Sequence, residues 1–290
     1  MKAIDHLVLA GHDLSALRAS YAALGFTLTP PARHPFGTGN SLVQLQGSFL
    51  ELLTVLEPGL IPEPQPGQFS FAAFNRDFLA RQQGLSMLVL DSADARADVA
   101  RFQAAGLAAY APFDFSRAAR LPDGGTVTVG FSLAFASAPG APEAGFFCCQ
   151  QHAPEHFWKP EYQRHANTAQ GIEEVALVAA NPSQLQNFLD GFTGSPGLAT
   201  RDGLDYPTAR GRLSVLTPEA YYGRYRLAPP DLARGPRFGG YTLTVASLDA
   251  VMRHAAAAGL SLIGARGRYV VSGGESFGAA IGFTQAKGKP

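Results

Sequence analysis

Glu51 stands at the centre of the run Phe49-Leu50-Glu51-Leu52-Leu53, where every neighbour is apolar. A carboxylate there is costly to bury unless it is paired or bound to a metal, which makes Glu51 the strongest chemical anomaly in the chain. His6 has a similar setting, in the run Ile-Asp-His-Leu-Val-Leu-Ala over 4–10. An imidazole in such a strand either hydrogen-bonds within a core or cleft or serves as a metal ligand. His152, His156 and His165 crowd into one stretch with Glu161, Tyr162 and the single tryptophan, Trp158. That stretch reads either as a linker packing its rings or as a wall over a cleft, with Trp158 stacking on a flat substrate and His165 beside it. Between 34 and 40, His34, Thr38 and Asn40 offer polar contacts from a turn or a cleft-edge loop.

Other patterns carry no chemistry. Gly274-Glu-Ser-Phe-Gly278 spells a nucleophile elbow, but an acid and a histidine must follow such a serine in chain order. Residues 279–290 contain no Asp, Glu or His. Phe36-Gly-Thr-Gly-Asn40 lies between strands and opens no helix, so it is not a dinucleotide fingerprint. Lysine plus arginine number 23 against 23 acidic residues, and this balance disfavours a nucleic-acid or polybasic membrane-surface protein. No apolar run approaches the roughly 20 residues of a membrane span. Cys148 and Cys149 are adjacent and form no disulfide framework, so a cytoplasmic, reducing setting is expected.

The elements that must position these residues repeat. A strand, an amphipathic helix ending on glycine and further strands recur four times, with glycines at 25, 106, 191 and 259. The intervals of roughly 70–85 residues suit a small α+β module rather than a solenoid. In the first copy 4–10 is a strand and Asp13 caps a helix whose buried stripe is Leu14, Leu17, Tyr21 and Leu24. Strands are expected over 26–29, 41–46 and 48–56. The second copy places strands at 85–90, 108–115, 126–136 and 145–151 around a helix over 95–105. The third opens with a strand at 172–179 and a helix over 183–189. The fourth opens near 241–245 with a helix over 248–258, and its last strand covers 277–283. Four prolines between 58 and 66 join the first two copies, and 152–170 joins the halves. The chain therefore divides into 1–170 and 171–290.

Four βαβββ modules paired into two halves, with curved mixed sheets enclosing a cleft, resemble the vicinal oxygen chelate superfamily of glyoxalase I, extradiol dioxygenases and bleomycin-resistance proteins. The first copy carries the resemblance in its 4–10 run, in Tyr-Ala-Ala-Leu-Gly-Phe at 21–26 and in Phe-Leu-Glu-Leu-Leu at 49–53. The segment 34–40 is similar to the glyoxalase-like branch. The resemblance implies a divalent ion (Zn, Fe, Mn or Ni) held by His6 and Glu51. The second copy offers Met87 at the histidine position, with Ser86 beside it. Copying Glu51 onto the strand over 146–152 gives Cys148, whose face alternation shares with Gln150 and His152. His152 is the preferred third ligand. In the C-terminal half the corresponding positions fall on Glu174, near 240–242 and on Ala279.

The function the resemblance implies is a glyoxalase-like, metal-dependent lyase or isomerase, with Glu51 catalytic and a small substrate chelated through its oxygens. Dioxygenase chemistry is a further alternative, set back by the absent C-terminal ligands. A metal-free binding protein of the bleomycin-resistance type is another, and a scaffold whose C-terminal half serves homodimerisation is the third. The partner expected is a small molecule, with no nucleic acid and no membrane.

Overall fold

The computed structural model describes residues 1–120 and 125–286. The first module comprises β1 (Ile4–Ala10), α1 (Leu14–Ala23), β2 (Ala32–Arg33), β3 (Thr38–Gln44) and β4 (Phe49–Val55). An added helix, α2 (Phe71–Leu79), precedes the second module. That module comprises β5 (Gly84–Asp91), α3 (Ala95–Ala104), β6 (Ala108–Ala109), β7 (Phe113–Arg120), β8 (Thr126–Ser137) and β9 (Gly145–Gln151). A one-turn helix, α4 (Pro154–Phe157), lies between the halves. The third module comprises β10 (Ala169–Val178), α5 (Gln186–Thr193), β11 (Leu198–Thr200), β12 (Gly203–Pro207) and β13 (Arg212–Leu216), followed by α6 (Pro218–Tyr225). The fourth comprises β14 (Arg237–Val245), α7 (Leu248–Ala257), β15 (Ile263–Ala265), β16 (Arg268–Val271) and β17 (Ala280–Gln285).

Each half is one curved mixed sheet, open at its edges. The first runs β2-β3-β4-β1-β5-β9-β8-β6 with β7 also on β8, and the second runs β11-β12-β13-β10-β14-β17-β16-β15. In each, two modules meet along one antiparallel pair, β1 with β5 and β10 with β14. Both faces of the central strands are buried. Leu7 and Leu9 join a core that all four module helices share with the second sheet, while Val8 joins an aromatic-rich core on the opposite face. This double burial is why the strands read as nearly continuous apolar runs. Across the shared core the hydroxyls of Tyr21 and Tyr241 hydrogen-bond at 2.7 Å. Among the described residues no helix is long and apolar enough to cross a membrane.

Four expectations need correction. The stretch 26–29 is not a strand: Pro30 and Pro31 have no N–H to give a ladder, and only Thr29 bonds to Leu42 before pairing starts at Ala32. The stretch 108–115 is split by Pro112 into β6 and β7, which pair with different parts of β8. The last strand begins at Ala280, not 277. Gly191 lies inside α5, and the left-handed cap is Gly194. Gly191 permits close packing instead, because a Cβ there would lie 3.0 Å from the Cβ of Ala105. Gly25, Gly106 and Gly259 do take positive φ where their helices end.

Candidate functional site

The buried carboxylate of Glu51 and the imidazole of His6 meet on the aromatic face of the first sheet. β4 runs parallel beside β1 with Val8 opposite Glu51, so His6 and Glu51 sit on adjacent strands. Glu51 is 6% exposed and His6 4%. Asn40 of β3 donates from Nδ2 to Glu51 Oε1 at 2.6 Å. Glu51 Oε2 stands 3.8 Å from His6 Nε2. The other imidazole nitrogen, Nδ1, donates to Asp5 Oδ2 at 2.6 Å, and Gln151 of β9 donates to Asp5 Oδ1 at 3.1 Å. Since a carboxylate only accepts, Nδ1 carries a proton, and the bond turns Nε2 toward Glu51.

Adjacent residues of a strand point to opposite faces, so a bond between the Asp5 and His6 side chains requires a break in the pleat. The register between β1 and β5 shifts between Ile4 and His6, which makes Asp5 the extra residue of a β-bulge. Bulges re-aim side chains in this way. His34 completes the group: Nδ1 donates to Thr38 Oγ1 at 2.8 Å, and Nε2 accepts from Asn40 at 3.3 Å while lying 3.8 Å from Glu51 Oε1. Burial holds the His34 imidazole below its ordinary range, with Glu51 opposing and Arg117 reinforcing the shift. Of the three buried polar atoms left without a partner among the described residues, two belong to this constellation, Asn40 Oδ1 and Gln151 Oε1.

These groups open into a cavity of about 50 Å³ walled by Phe36, Phe49, Phe71, Phe115, Phe131, Phe147 and Phe157. His6 stacks on Phe49 at 4.3 Å, and His34 stacks on Phe36 at 4.9 Å. Cys149 also lines it, its thiol pushed well above the ordinary range by burial and then by Asp5 and Glu51, so it is no thiolate nucleophile. Arg117 of β7 reaches the wall beyond Phe115.

Of the residues singled out in the sequence, His6, His34, Asn40 and Glu51 line the cavity together, with Thr38 behind His34. His152 does not join them. Phe147 and Cys149 point inward from β9, so Cys148, Gln150 and His152 take the other face. His152 is exposed there and bonds to Ser132 Oγ at 2.8 Å, while Gln150 caps the start of α3. His165 is structural: its Nε2 donates to the Gln44 carbonyl and its Nδ1 accepts the Thr27 N–H. Trp158 packs on Phe49 and Phe157 behind the cavity wall. Asp5 and Arg117 were not singled out. A period-two pattern sends Asp5 to the wrong face, whereas Phe113, Phe115 and Arg117 alternate legibly once the strand is carried past 115.

The pairing register also locates the counterparts of His6 and Glu51. Val89 lies opposite Phe147 as Val8 lies opposite Glu51, so the second module offers Met87 and Phe147 where Cys148 was expected. In the second half the counterparts are Glu174 with Ser214, and Gly240 with Gly282 rather than Ala279. Glu174 is fully buried and paired with Arg212, with Arg224 at 2.7 Å and with Arg268 at 3.3 Å. Burial alone would raise its pKa, but Arg224, Arg268 and Arg212 together hold it below the usual carboxylate range. The third orphaned atom, Arg268 Nε, lies in this cluster.

A divalent metal needs about three protein donors at a catalytic site. His6 Nε2 and Glu51 supply two. His34 Nε2 already accepts from Asn40, His152 is on the far face, and no group of three or more His, Cys, Asp and Glu side chains among the described residues forms a metal cradle. The donor set does not fit a metal held by protein ligands alone.

Over residues 4–193 the sequence matches the family model described as a glyoxalase-like domain. No curated protein matches the chain. The fold is shared with a hypothetical protein from Staphylococcus aureus at 15% identity and TM-score 0.72, covering 99% of this chain and 100% of that one. A mutant 4-hydroxymandelate synthase from Streptomyces coelicolor is similar at 12% identity and TM-score 0.62, covering 99% and 94%. A Mn(II)-bound glyoxalase from Novosphingobium aromaticivorans is similar at 12% identity and TM-score 0.58, covering 98% and 83%.

Proposed function

Because the chain belongs to the glyoxalase-like domain family and has the vicinal oxygen chelate fold, we propose that it is a lyase- or isomerase-type enzyme that moves a proton within a small oxygen-bearing substrate, with Glu51 as the proton carrier. The observation that supports this is a carboxylate buried in a phenylalanine cage without a direct ion-pair partner at hydrogen-bond distance among the described residues. Asn40 holds one carboxylate oxygen and leaves the other toward His6. The cavity is too small for bulk water, so a base there works against little solvent competition. Glu51 takes a proton from a carbon beside a carbonyl, and the electron pair of the broken C–H bond moves onto the carbonyl oxygen as an enolate. The carboxylic acid so formed returns its proton to a neighbouring atom. Asp5 and Gln151 keep His6 oriented beside Glu51 throughout.

The aromatic cage also favours a second reading, sequestration of a small planar ligand without turnover. One experiment separates them: incorporation of solvent deuterium, followed by NMR, into a panel of aliphatic and aryl 2-oxo acids and hydroxyketones. The expected result is acceleration by the wild type, unchanged by His152→Ala and reduced about 100-fold or more by Glu51→Gln, the usual size of a general-base contribution. Acceleration that survives exhaustive chelation supports chemistry by side chains. Its loss on chelation and recovery with Mn(II) overturns that part, and no acceleration across the panel overturns the enzyme reading in favour of sequestration.

A further inference from the structure

The cavity beside Glu51 shares a wall with a much larger chamber, and Arg117 stands where they meet. The inner space is about 50 Å³ and the outer about 610 Å³, with Asn40, Leu42, Arg117 and Phe157 lining both. Arg33, Arg117, Lys159 and Glu161 line the outer chamber, and Arg33 is already paired with Glu57 at 2.5 Å. Arg117 is half-buried and has no hydrogen-bond or ion-pair partner among the described residues, in contrast to the arginines around Glu174. Its chief opposite charge is Glu51, yet no Arg117 nitrogen comes within 4.0 Å of a Glu51 oxygen. A partly desolvated guanidinium, drawn toward a carboxylate it does not touch, marks a place for a ligand group.

We propose that Arg117 binds the carboxylate of a monoanionic substrate at the neck between the chambers. This rests on the proposed function and names its substrate class: a small carboxylic acid whose reacting carbon enters the inner cavity and whose body stays in the outer chamber. Size decides the orientation, because an aromatic ring needs a cavity of roughly 150 Å³, which only the outer chamber supplies. Charge decides the headgroup. Arg117 is the one cation that lines both chambers, and its guanidinium matches one carboxylate bidentately, while a dianionic phosphate at the neck would set a second negative charge against Glu51.

The test uses two ligands of one shape, phenylacetate and 2-phenylacetamide, titrated calorimetrically into the wild type, Arg117→Met and Glu51→Gln. The wild type should bind the acid about ten-fold or more tightly than the amide, and Arg117→Met should erase that preference by weakening the acid alone. Glu51→Gln should keep or enlarge the preference, because it removes a like charge without touching Arg117. Equal affinity for acid and amide in the wild type, no binding of either, or a preference that survives in a folded Arg117→Met protein overturns the assignment. Deuterium exchange does not enter this measurement, so acid preference with no exchange would sink the proton-transfer reading and leave the carboxylate site standing.

Discussion

Replacing Glu174 by Gln tests whether the second half is held by a buried charge cluster where the first half keeps an open site. The substitution preserves shape and removes one negative charge from beneath three guanidinium groups. Glu174 is fully buried, and it accepts from Arg212 Nε at 3.1 Å, Arg224 at 2.7 Å, Arg268 at 3.3 Å and Tyr225 at 3.2 Å. Arg268 is itself 9% exposed, so it cannot turn to water when its partner is neutralised. Breaking a buried pair from one side costs about 3–5 kcal/mol. For a chain of this size that corresponds to a fall on the order of 10 °C in melting temperature. The pH dependence supplies a second reading. Arginine neighbours hold the folded pKa of Glu174 below the usual range, so its contribution is complete above the unfolded carboxylate value and is lost as pH falls through the folded value. Wild type and variant should therefore differ by a constant amount around neutrality, and the gap should begin to close as pH falls below about 4. Urea unfolding at several pH values measures both. A loss under about 1 kcal/mol, the size of an exposed pair, would refute the argument, as would a gap that does not narrow in acid.

Two further outcomes follow from the packing and the buried imidazoles. Burial lowers the pKa of both His34 and His165, so the unfolded chain binds protons that the folded one does not, and stability should fall as pH drops below about 6.5 by up to ~1.4 kcal/mol per pH unit for each. Unfolding of His34→Gln across that window should show the shallower slope, and an unchanged slope would count against the neutral, hydrogen-bonded His34. Gly191→Leu should destabilise by about 1–3 kcal/mol through overpacking, because its Cβ alone would meet Ala105 at 3.0 Å and Leu107 at 3.1 Å. Thermal unfolding at wild-type stability would show that the helices of the two halves can part there without cost.

Much of the architecture was legible because module length, helix stripes and capping residues are local properties. Asp13 caps α1 through Ser15 and Ala16, and Leu14, Leu17 and Tyr21 form its buried stripe, as the spacing predicts. Besides the single turn α4, two helices were not anticipated. α2 is built on Phe71, Phe74 and Phe78, and α6 on Tyr221 and Tyr225, and short aromatic-rich segments carry weak period signals. At the site, Glu51 and His6 announced themselves through their apolar neighbours, and Asn40 and His34 through a polar loop. What the sequence hid was register. Placing the counterpart of Glu51 at Cys148 rather than Phe147 is an error of one residue, and in a strand one residue exchanges the faces, which is why alternation from Cys148 sends His152 inward.

The same backbone irregularity occurs in both halves, and its side chains show how duplicated modules diverge. The register shifts between Ile4 and His6 and again between Ile172 and Glu174, so Asp5 and Glu173 are equivalent bulge residues. In the first half the bulge sets Asp5 against His6 and leaves Nε2 directed at Glu51. In the second it sets Glu173 near Arg212, at 3.9 Å, while Glu174 turns into the arginine cluster. A bulge places two consecutive side chains on one face, whatever they are. With Asp and His it presents a base that a second carboxylate can share across a cavity. With two glutamates it draws in cations until the space is filled. The cluster around Glu174 is therefore the closed counterpart of the open His6–Glu51 site, and the two differ in side-chain charge on a common backbone.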